Sequence, residues 1–298
     1  MAAKRIHQMT IKEWEAAFPD EDACADYLMR HRWSTVIRCP RCGSVNIGAV
    51  STMTYRWQCY TCAPDTSYRF SHITGTIFEN TNKPLRDWFR VLHMMVTSKK
   101  GVSALQVHRT MGFGSYKTAW YMCHRIRAGL GNEEFRRLVG IVEVDETYIG
   151  GSTSNKHGPR GKRGRGTKNK AIIIGAVQRK GPVVARVIAR ADLKTLTRFV
   201  TETVSHKVSL IATDEHMGYR ALPKHLPHGS VTHSAGEYVV GAIHTNTIEG
   251  FWSLIKRGVV GTYHKVSKKY LPLYVAEFQF RYNNRENPDI FGEAVRGC

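Results

Sequence analysis

The spacing of four cysteines constrains this chain more tightly than any other feature. Cys39 and Cys42 stand in "RCPRCGS", and Cys59 and Cys62 in "WQCYTCA". The pattern is C-x2-C, sixteen intervening residues (43–58), then C-x2-C. Two short thiolate knuckles on facing hairpins supply the tetrahedral four-sulfur set that Zn²⁺ favours. Proline and glycine beside the first knuckle permit its tight turn. The alternation in "MTYRWQCYTC" and "TSYRFSHITGTIF" predicts short strands around the site. Hairpins this small do not fold alone, and zinc binding, worth ~10–16 kcal/mol in comparable peptides, supplies the missing stability. Four thiolates leave no open coordination position, so the zinc is expected to be structural. Arg56, Tyr60, Tyr68 and Arg69 read equally well as contacts to a nucleic-acid backbone and as plain strand-forming surface.

Composition narrows the partners. The chain has 298 residues, enough for two or three domains. Lys+Arg 44 against Asp+Glu 24 gives a formal net charge of +20, and the pI is near 9.8. A field that positive attracts polyanions, of which nucleic acid is the commonest large one. A ribosome-associated protein or a solvated basic surface is the plainer alternative. Seven cysteines, four of them in paired spacing, point to a reducing compartment and a metal site rather than to disulfides. The first residues are amphipathic and charged rather than leader-like. No window approaches ~18 consecutive apolar residues, so no membrane span is expected. Cytoplasmic, nucleoid-associated placement follows as an expectation.

Four segments are expected: an N-terminal helical segment (1–35), the zinc ribbon (36–80), a helical region (81–135) and an α/β domain (136–298). In the third, "KPLRDWFRVLHMMVTSKKG" starts a helix near its proline and puts Leu85, Trp88, Phe89 and Leu92 on one face. "VSALQVHRTMGFGSYKTAWYMCHRIRAGLG" then gives a short helix, a glycine-bearing turn and a longer helix, the grammar of a helix-turn-helix. Lys117, Tyr121, His124, Arg125 and Arg127 stud its last helix, which reads either as a DNA-reading element or as a packing element.

From Leu138 the texture changes to strands and helices. "LVGIVEVDETYIGG", "AIIIGAVQ" and "VVARVIA" read as strands, "DLKTLTRFVTETV" as a helix capped by Asp192, and "SLIATDEHMGY" as a further strand ending in acid. That is α/β order. The acid-free stretch 155–170 carries Lys156, Arg160, Lys162, Arg163, Arg165, Lys168 and Lys170 among glycines, and reads as a mobile loop suited to phosphate contacts. "HTNTIEGFWSLIKRG" is a helix whose stripe of Ile248, Phe251, Trp252 and Ile255 packs on a core. Its opposite face carries Asn246, Glu249, Ser253 and Lys256, with Arg257 beside them.

Asp145 is expected to end the first of these strands and Asp214 the fourth. Thirty-four residues lie between Asp214 and Glu249, and Lys256 follows Glu249 by seven, nearly two helical turns. Three such acids brought together repel one another unless cations intervene. Two Mg²⁺ ions ~3.5–4 Å apart resolve that repulsion and suit phosphodiester displacement. Lys256, on the same face as Glu249, is placed to hold a phosphate.

"VEVDETYIGG", "TDEHMGY" and "HTNTIEGFWSLIKRGVVGTYHKVSKKYLPLYVAEFQFRYNNR" resemble bacterial insertion-sequence transposases of the DDE superfamily. More narrowly they are similar to the group sometimes called the IS fifteen-ninety-five family, whose members also begin with a zinc ribbon. The resemblance runs from about residue 15 to 290. It implies an RNase H-like catalytic domain, a mixed sheet with flanking helices, behind the ribbon and the helix-turn-helix-like region. It implies an active site holding two Mg²⁺ (or Mn²⁺) ions, and cut-or-copy chemistry at transposon ends. By match, Asp145 and Asp214 take the first two acid positions. The third stays open between Glu249 and Asn246, since some relatives carry asparagine there; the 34-residue gap and the following lysine favour Glu249. Glu143, Glu146 and Glu215 are expected to be supporting or structural, and His216, His244 and His264 are candidate phosphate contacts. The implied partner is double-stranded DNA, both element ends and target, with Lys117, Arg125, the basic loop, Lys256 and Arg257 as contacts, and a homodimer or higher assembly on it. A zinc-ribbon regulator without catalysis, and a host nuclease or resolvase that cuts without joining, are the rival readings.

Overall fold

The computed structural model describes residues 9–33, 35–62, 68–131, 137–150, 170–214, 219, 222–230 and 244–298. The basic loop residues Arg160, Lys162, Arg163, Arg165 and Lys168, together with Glu215 and His216, lie outside them. The chain divides into two compact units, Met1–Glu133 with Asn284–Cys298, and Glu134–Asn283.

The first unit opens with helices α1 (Ile11–Ala17) and α2 (Glu21–Arg32). Thr10 and Glu13 cap α1 reciprocally, and the Asp20 carboxylate accepts from the Ala23 N–H at 2.8 Å to start α2. Strands β1 (Ile47–Ala49), β2 (Arg56–Cys59) and β3 (Tyr68–Ser71) form an antiparallel sheet in that order. Their inner face carries Cys59 and Phe70, packed with Cys39 and flanked by Trp33, Ile47 and Trp57.

Helices α3 (Leu85–Thr97), α4 (Ala104–Met111) and α5 (Tyr116–Gly129) follow. Gly112 ends α4 at φ 64°, a left-handed conformation that glycine adopts without steric cost. Ser103 and Ser115 cap α4 and α5 through side-chain oxygens. The residues studding α5 divide by face. Lys117 and Tyr121 are exposed, whereas His124 and Arg127 are buried, Arg127 to 1%. Arg125 is half-buried and engaged: it donates to the Glu79 carbonyl at 3.1 Å and lies over the Trp88 and Tyr121 rings. Of the five residues that stud this helix, His124, Arg125 and Arg127 are therefore turned towards the unit, on the side of its inward stripe of Ala119, Met122, Cys123 and Ile126.

The C-terminal helix α9 (Ile290–Gly297) belongs to this unit, although the sequence carries the α/β domain to residue 298. Phe291 packs against Phe18 and Phe89, with ring centroids 5.5 and 5.4 Å away. Burying an aromatic ring from α9 in the helical core sets its allegiance.

The second unit is built on β4 (Leu138–Ile149), β5 (Ala171–Gln178), β6 (Val183–Ile188), β7 (Val204–Thr213) and β8 (His228–Ser230), in sheet order β6-β5-β4-β7-β8. β4, β5 and β6 are antiparallel neighbours, while β7 and β8 run parallel to β4. Helix α6 (Leu193–Thr203), capped by Asp192, packs Leu196, Phe199 and Val200 on one face with Val142, Val144, Ile174 and Ala176. Helices α7 (Asn246–Gly258) and α8 (Leu271–Asn283) cover the other face. There Ile248, Phe251, Trp252 and Ile255 meet Ile173, Val177 and Val183. Seven of the eight residues of β5 are consequently buried, which is why its sequence is a continuous apolar run rather than an alternation.

"FQFRYN" closes α8, and two amides of this helix's last turns dress the outer edge of β6. Asn283 accepts from the Val183 N–H (2.8 Å) and donates to the Val183 carbonyl (3.1 Å), while Gln279 accepts from the Ala185 N–H (2.9 Å). An i, i+4 amide pair thus stands in for a neighbouring strand and blunts a sheet edge that would otherwise pair with another chain.

Candidate functional site

Cys39, Cys42 and Cys59 place their sulfurs within 4.8 Å of one another, and Cys42 Sγ lies 3.6 Å from Cys59 Sγ. A zinc tetrahedron with Zn–S of about 2.3 Å sets its sulfurs about 3.8 Å apart, so this spacing fits the ion. Burial acts to raise the Cys39 thiol, but the N–H groups of Cys42 and Arg41 and the neighbouring thiols outweigh it and hold Cys39 below the ordinary thiol range. Cys62 stands outside the group of three; its backbone N–H donates to Cys59 Sγ at 3.3 Å.

The acidic site begins on β4. Side chains alternate along a strand, so Glu143 and Asp145 share the face that α7 covers. Glu143 is completely buried. Its carboxylate accepts from the Thr247 N–H (2.7 Å), the Thr247 hydroxyl (2.8 Å), the Ile248 N–H (3.1 Å) and Arg179 Nε (2.7 Å). His244 Nδ1 lies 3.2 Å from it. The first-turn N–H groups of α7, which lack helical partners, are thereby satisfied by a residue far away in sequence. This is the structural role expected of Glu143, and it fixes where α7 starts.

Asp145 does not end its strand. β4 continues to Ile149, and Asp145 pairs in register with Gly175 of β5. What does end nearby is the pairing with β7: the parallel register runs Val142↔Ile211 and Glu143↔Ala212, and β7 stops at Thr213. Two residues further along that register, Asp145 stands abreast of Asp214. Burial pushes the Asp145 carboxyl up to about 7, with the Asp214 and Glu146 charges adding to the effect and the Trp252 indole and the Glu146 N–H opposing it. The indole Nε1 donates to Asp145 Oδ2 at 2.9 Å.

A cavity of about 520 Å³ opens here, lined by Asp145, Glu146, Thr147, Glu249, Trp252, Ser253, Lys256 and Arg257. Glu249, Ser253 and Lys256 are the polar stripe of α7, presented because the opposite stripe is buried against β5. Glu249 also accepts from the Thr245 hydroxyl at 3.1 Å. Asn246 is exposed at the first turn of α7 and is not among the lining residues. His264 is exposed, and its Nδ1 sits 3.2 Å from the Val260 carbonyl. Asp145, Asp214 and Glu249 do not bring oxygens within 4.8 Å of one another as the cysteines bring sulfurs. Ligands divided between two ions ~3.5–4 Å apart need not do so.

Three residues of this site carry no legible sequence signal. Trp252 belongs to the apolar stripe, yet its N–H reaches an acid. Gly175 lies in an apolar strand. Tyr219, 1% exposed, donates its hydroxyl to Glu146 at 2.7 Å. Burial, then Glu146, and further Asp145 and Asp214 push its phenol well above the ordinary range. Its place five residues after Asp214 in "TDEHMGY" is the one hint.

One unit carries a zinc-ribbon module, and the other a mixed five-stranded α/β sheet of RNase H-like type with acids and bases around an open cavity; together they define a class of nucleic-acid-processing protein. Residues 137–283 match the ISXO2-like transposase domain, and residues 19–64 match the transposase zinc-ribbon domain. The chain belongs to this insertion-sequence transposase family, and the two matched ranges cover well over half of it. A relative from Halobacterium salinarum, the "uncharacterized protein in transposable element ISH50", is 27% identical over 276 residues, covering 89% of this chain and 91% of its own length. A solved simian T-cell lymphotropic virus intasome in complex with PP2A regulatory subunit B56 gamma aligns with TM-score 0.31 and 14% identity, over 60% of this chain and 68% of that one. Among the described residues no helix is long and apolar enough to cross a membrane.

Proposed function

We propose that this transposase binds the terminal repeats of its insertion sequence, cuts a phosphodiester there, and joins the freed end to target DNA. One observation carries the reading. Asp145 is crowded by Asp214 and lines one cavity with Glu249, Lys256 and Arg257, which all come from α7. A buried acid crowded by a second acid, in a cavity that also holds cationic side chains, suits a site completed by divalent cations and a polyanion.

Asp145, Asp214 and Glu249 would hold two divalent cations, Mg²⁺ or Mn²⁺. When bound, such ions activate an attacking oxygen and stabilise the departing one. Carboxylate oxygens suit these hard cations. Lys256 and Arg257 hold the phosphodiester over the acids and offset its charge. Cutting exchanges one P–O bond for another with water as the entering group. Joining does the same with the new 3′-hydroxyl, so one arrangement of residues serves both steps. Glu249 is favoured over Asn246 as the third ligand because Glu249 lines the cavity.

The zinc ribbon, held by Cys39, Cys42, Cys59 and Cys62, and the α4–α5 helix pair select the element's ends. Lys117 at the exposed start of α5 meets DNA there. Two ends must be handled together, so a homodimer or higher assembly forms on DNA.

The test is a strand-transfer assay with Mg²⁺ and Mn²⁺ on the chain's own element ends. Asp145→Asn is expected to abolish cutting and joining while leaving end binding within about twofold. Joining by the purified variant overturns the assignment. Products that carry element ends covalently in target DNA separate a transposase from a nuclease, and absence of nicking by the native chain leaves a regulator.

A further inference from the structure

We infer that Trp252 is the positioning residue of Asp145, and that Gly175 is present to seat its indole. This rests on the reading of Asp145 as a divalent-cation ligand. Three observations converge on it. The indole Nε1 donates to Asp145 Oδ2 at 2.9 Å. Gly175 is the residue directly opposite Asp145 in the β4–β5 ladder, so the two share the face on which α7 lies. A Cβ added at Gly175 would sit 2.6 Å from Trp252 Cη2, 2.9 Å from Cζ2 and 3.1 Å from Ile248 Cδ1. The indole therefore lies against bare backbone, closer to the sheet than any side chain at that position permits.

The ring cannot move aside cheaply. Trp252 is 3% exposed and packed among Phe251, Ile248 and the β5 side chains. Its chemistry matches a positioning task. An indole N–H only donates and carries no charge. It fixes the rotation of the carboxylate without neutralising it, whereas a lysine or arginine in its place would compete with a cation. The indole engages Oδ2, and an ionised carboxylate keeps further lone pairs with which to meet an ion. The same helix carries Glu249 three residues before Trp252 and Lys256 four after. One hydrogen bond thus sets the first acid against the third and against the phosphate-holding lysine. The Glu143 contacts anchor the start of α7 two strand residues away, and Trp252 fixes its middle.

The experiment uses the full-length, zinc-loaded chain and Mn²⁺ as the probe. Trp252→Phe keeps an aromatic ring and removes the N–H. Losing a group that orients a metal ligand costs about 10–100-fold in affinity, and that weakening of Mn²⁺ binding is expected, with end-DNA binding and melting temperature close to native. Gly175→Ala is expected to weaken Mn²⁺ binding in the same direction, and in the Trp252→Phe background to add less, because the two indole atoms that the new Cβ approaches most closely are gone and only Ile248 Cδ1 remains. In the unmutated chain, the Nε1–H resonance of Trp252, identified by its loss in Trp252→Phe, is expected to move on Mg²⁺ addition and to resist solvent exchange. That readout needs no variant to fold perfectly. Mn²⁺ affinity within twofold of native for Trp252→Phe, or an indole resonance blind to Mg²⁺, overturns the inference. Asp145→Asn keeps the two readings apart: if it binds Mn²⁺ like the native chain, the metal-site reading fails, whereas loss there with full binding in Trp252→Phe sinks only the role of the indole.

Discussion

Glu143 and Thr247 are 104 residues apart in sequence, and the buried carboxylate of one accepts both the backbone N–H and the hydroxyl of the other, at 2.7 and 2.8 Å. Through this pair the sheet dictates where α7 begins, and α7 in turn carries Glu249, Trp252 and Lys256 to the cavity.

Glu143→Ala leaves the Arg179 guanidinium and the first-turn N–H groups of α7 without their acceptor. Removing one member of a buried charged pair costs about 3–5 kcal/mol. Urea unfolding is expected to show a loss of that order. Glu143→Gln, which retains an acceptor oxygen, is expected to lose less.

Asp145 gives the metal-free protein a pH signature. Its folded value, raised to about 7 from 3.8, means that the folded state holds this proton more tightly than the unfolded chain does. Its contribution is therefore fully present below about pH 4 and is lost as pH rises through about 7, with a slope up to about 1.4 kcal/mol per pH unit. Thermal melts of Asp145→Asn against the native chain are expected to diverge in favour of the variant across that window. Added Mg²⁺ is expected to shrink the gap at pH 8. Parallel curves from pH 4 to 8 would contradict the electrostatic picture.

The ribbon predicts a metal stoichiometry. One Zn²⁺ per chain is expected, released by a strong chelator together with loss of the near-ultraviolet signal of Trp33 and Trp57, whose rings pack edge-to-face at 5.7 Å. Cys59→Ser is expected to abolish retention. Cys62→Ser, at the position whose sulfur stands apart from the other three, is expected to weaken retention less than Cys59→Ser does. Equal losses would show that all four sulfurs close on the ion alike.

Two basic residues of α5 are expected to behave differently. Lys117 is exposed, so Lys117→Ala should weaken binding to the element's ends and lower the log–log salt slope by about 1. Arg125 is tied to the Glu79 carbonyl and stacked on Trp88. Arg125→Ala should lower the melting temperature, with a loss of about 0.5–1.5 kcal/mol of stability for the hydrogen bond to the part-buried Glu79 carbonyl. A pure DNA-binding defect with native stability would return Arg125 to the recognition surface.

Gln279 and Asn283 cap the β6 edge, so replacing both with alanine should promote self-association of the folded chain. Light scattering against concentration reads this directly. A variant that stays as monodisperse as the native chain would show that the edge is protected by other means.

Local patterns were legible because their physics is local. The C-x2-C pairs predict a ribbon since adjacent thiolates converge on one ion. The apolar stripe of residues 248–255 predicts a half-buried helix since its period is that of a helix, and Asp192 reads as a cap because its partner is three residues away. The alternation of β4 puts Glu143 and Asp145 on one face whatever that face meets.

What that face meets was decided only by the tertiary structure. The partners of Glu143, Asp145 and Val183 lie about a hundred residues downstream, and no periodicity encodes a contact at that distance. Trp252 and Gly175 look like ordinary core residues until the β4–β5 register sets glycine opposite an acid and leaves room for an indole. Arg125 and Arg127 look like surface charges until α5 is packed and its inward face is fixed. The sequence by itself determined the elements and their amphipathic faces, through spacing and side-chain chemistry. Long-range packing, which depends on shape and register across the sheet, determined which polar atoms find each other inside.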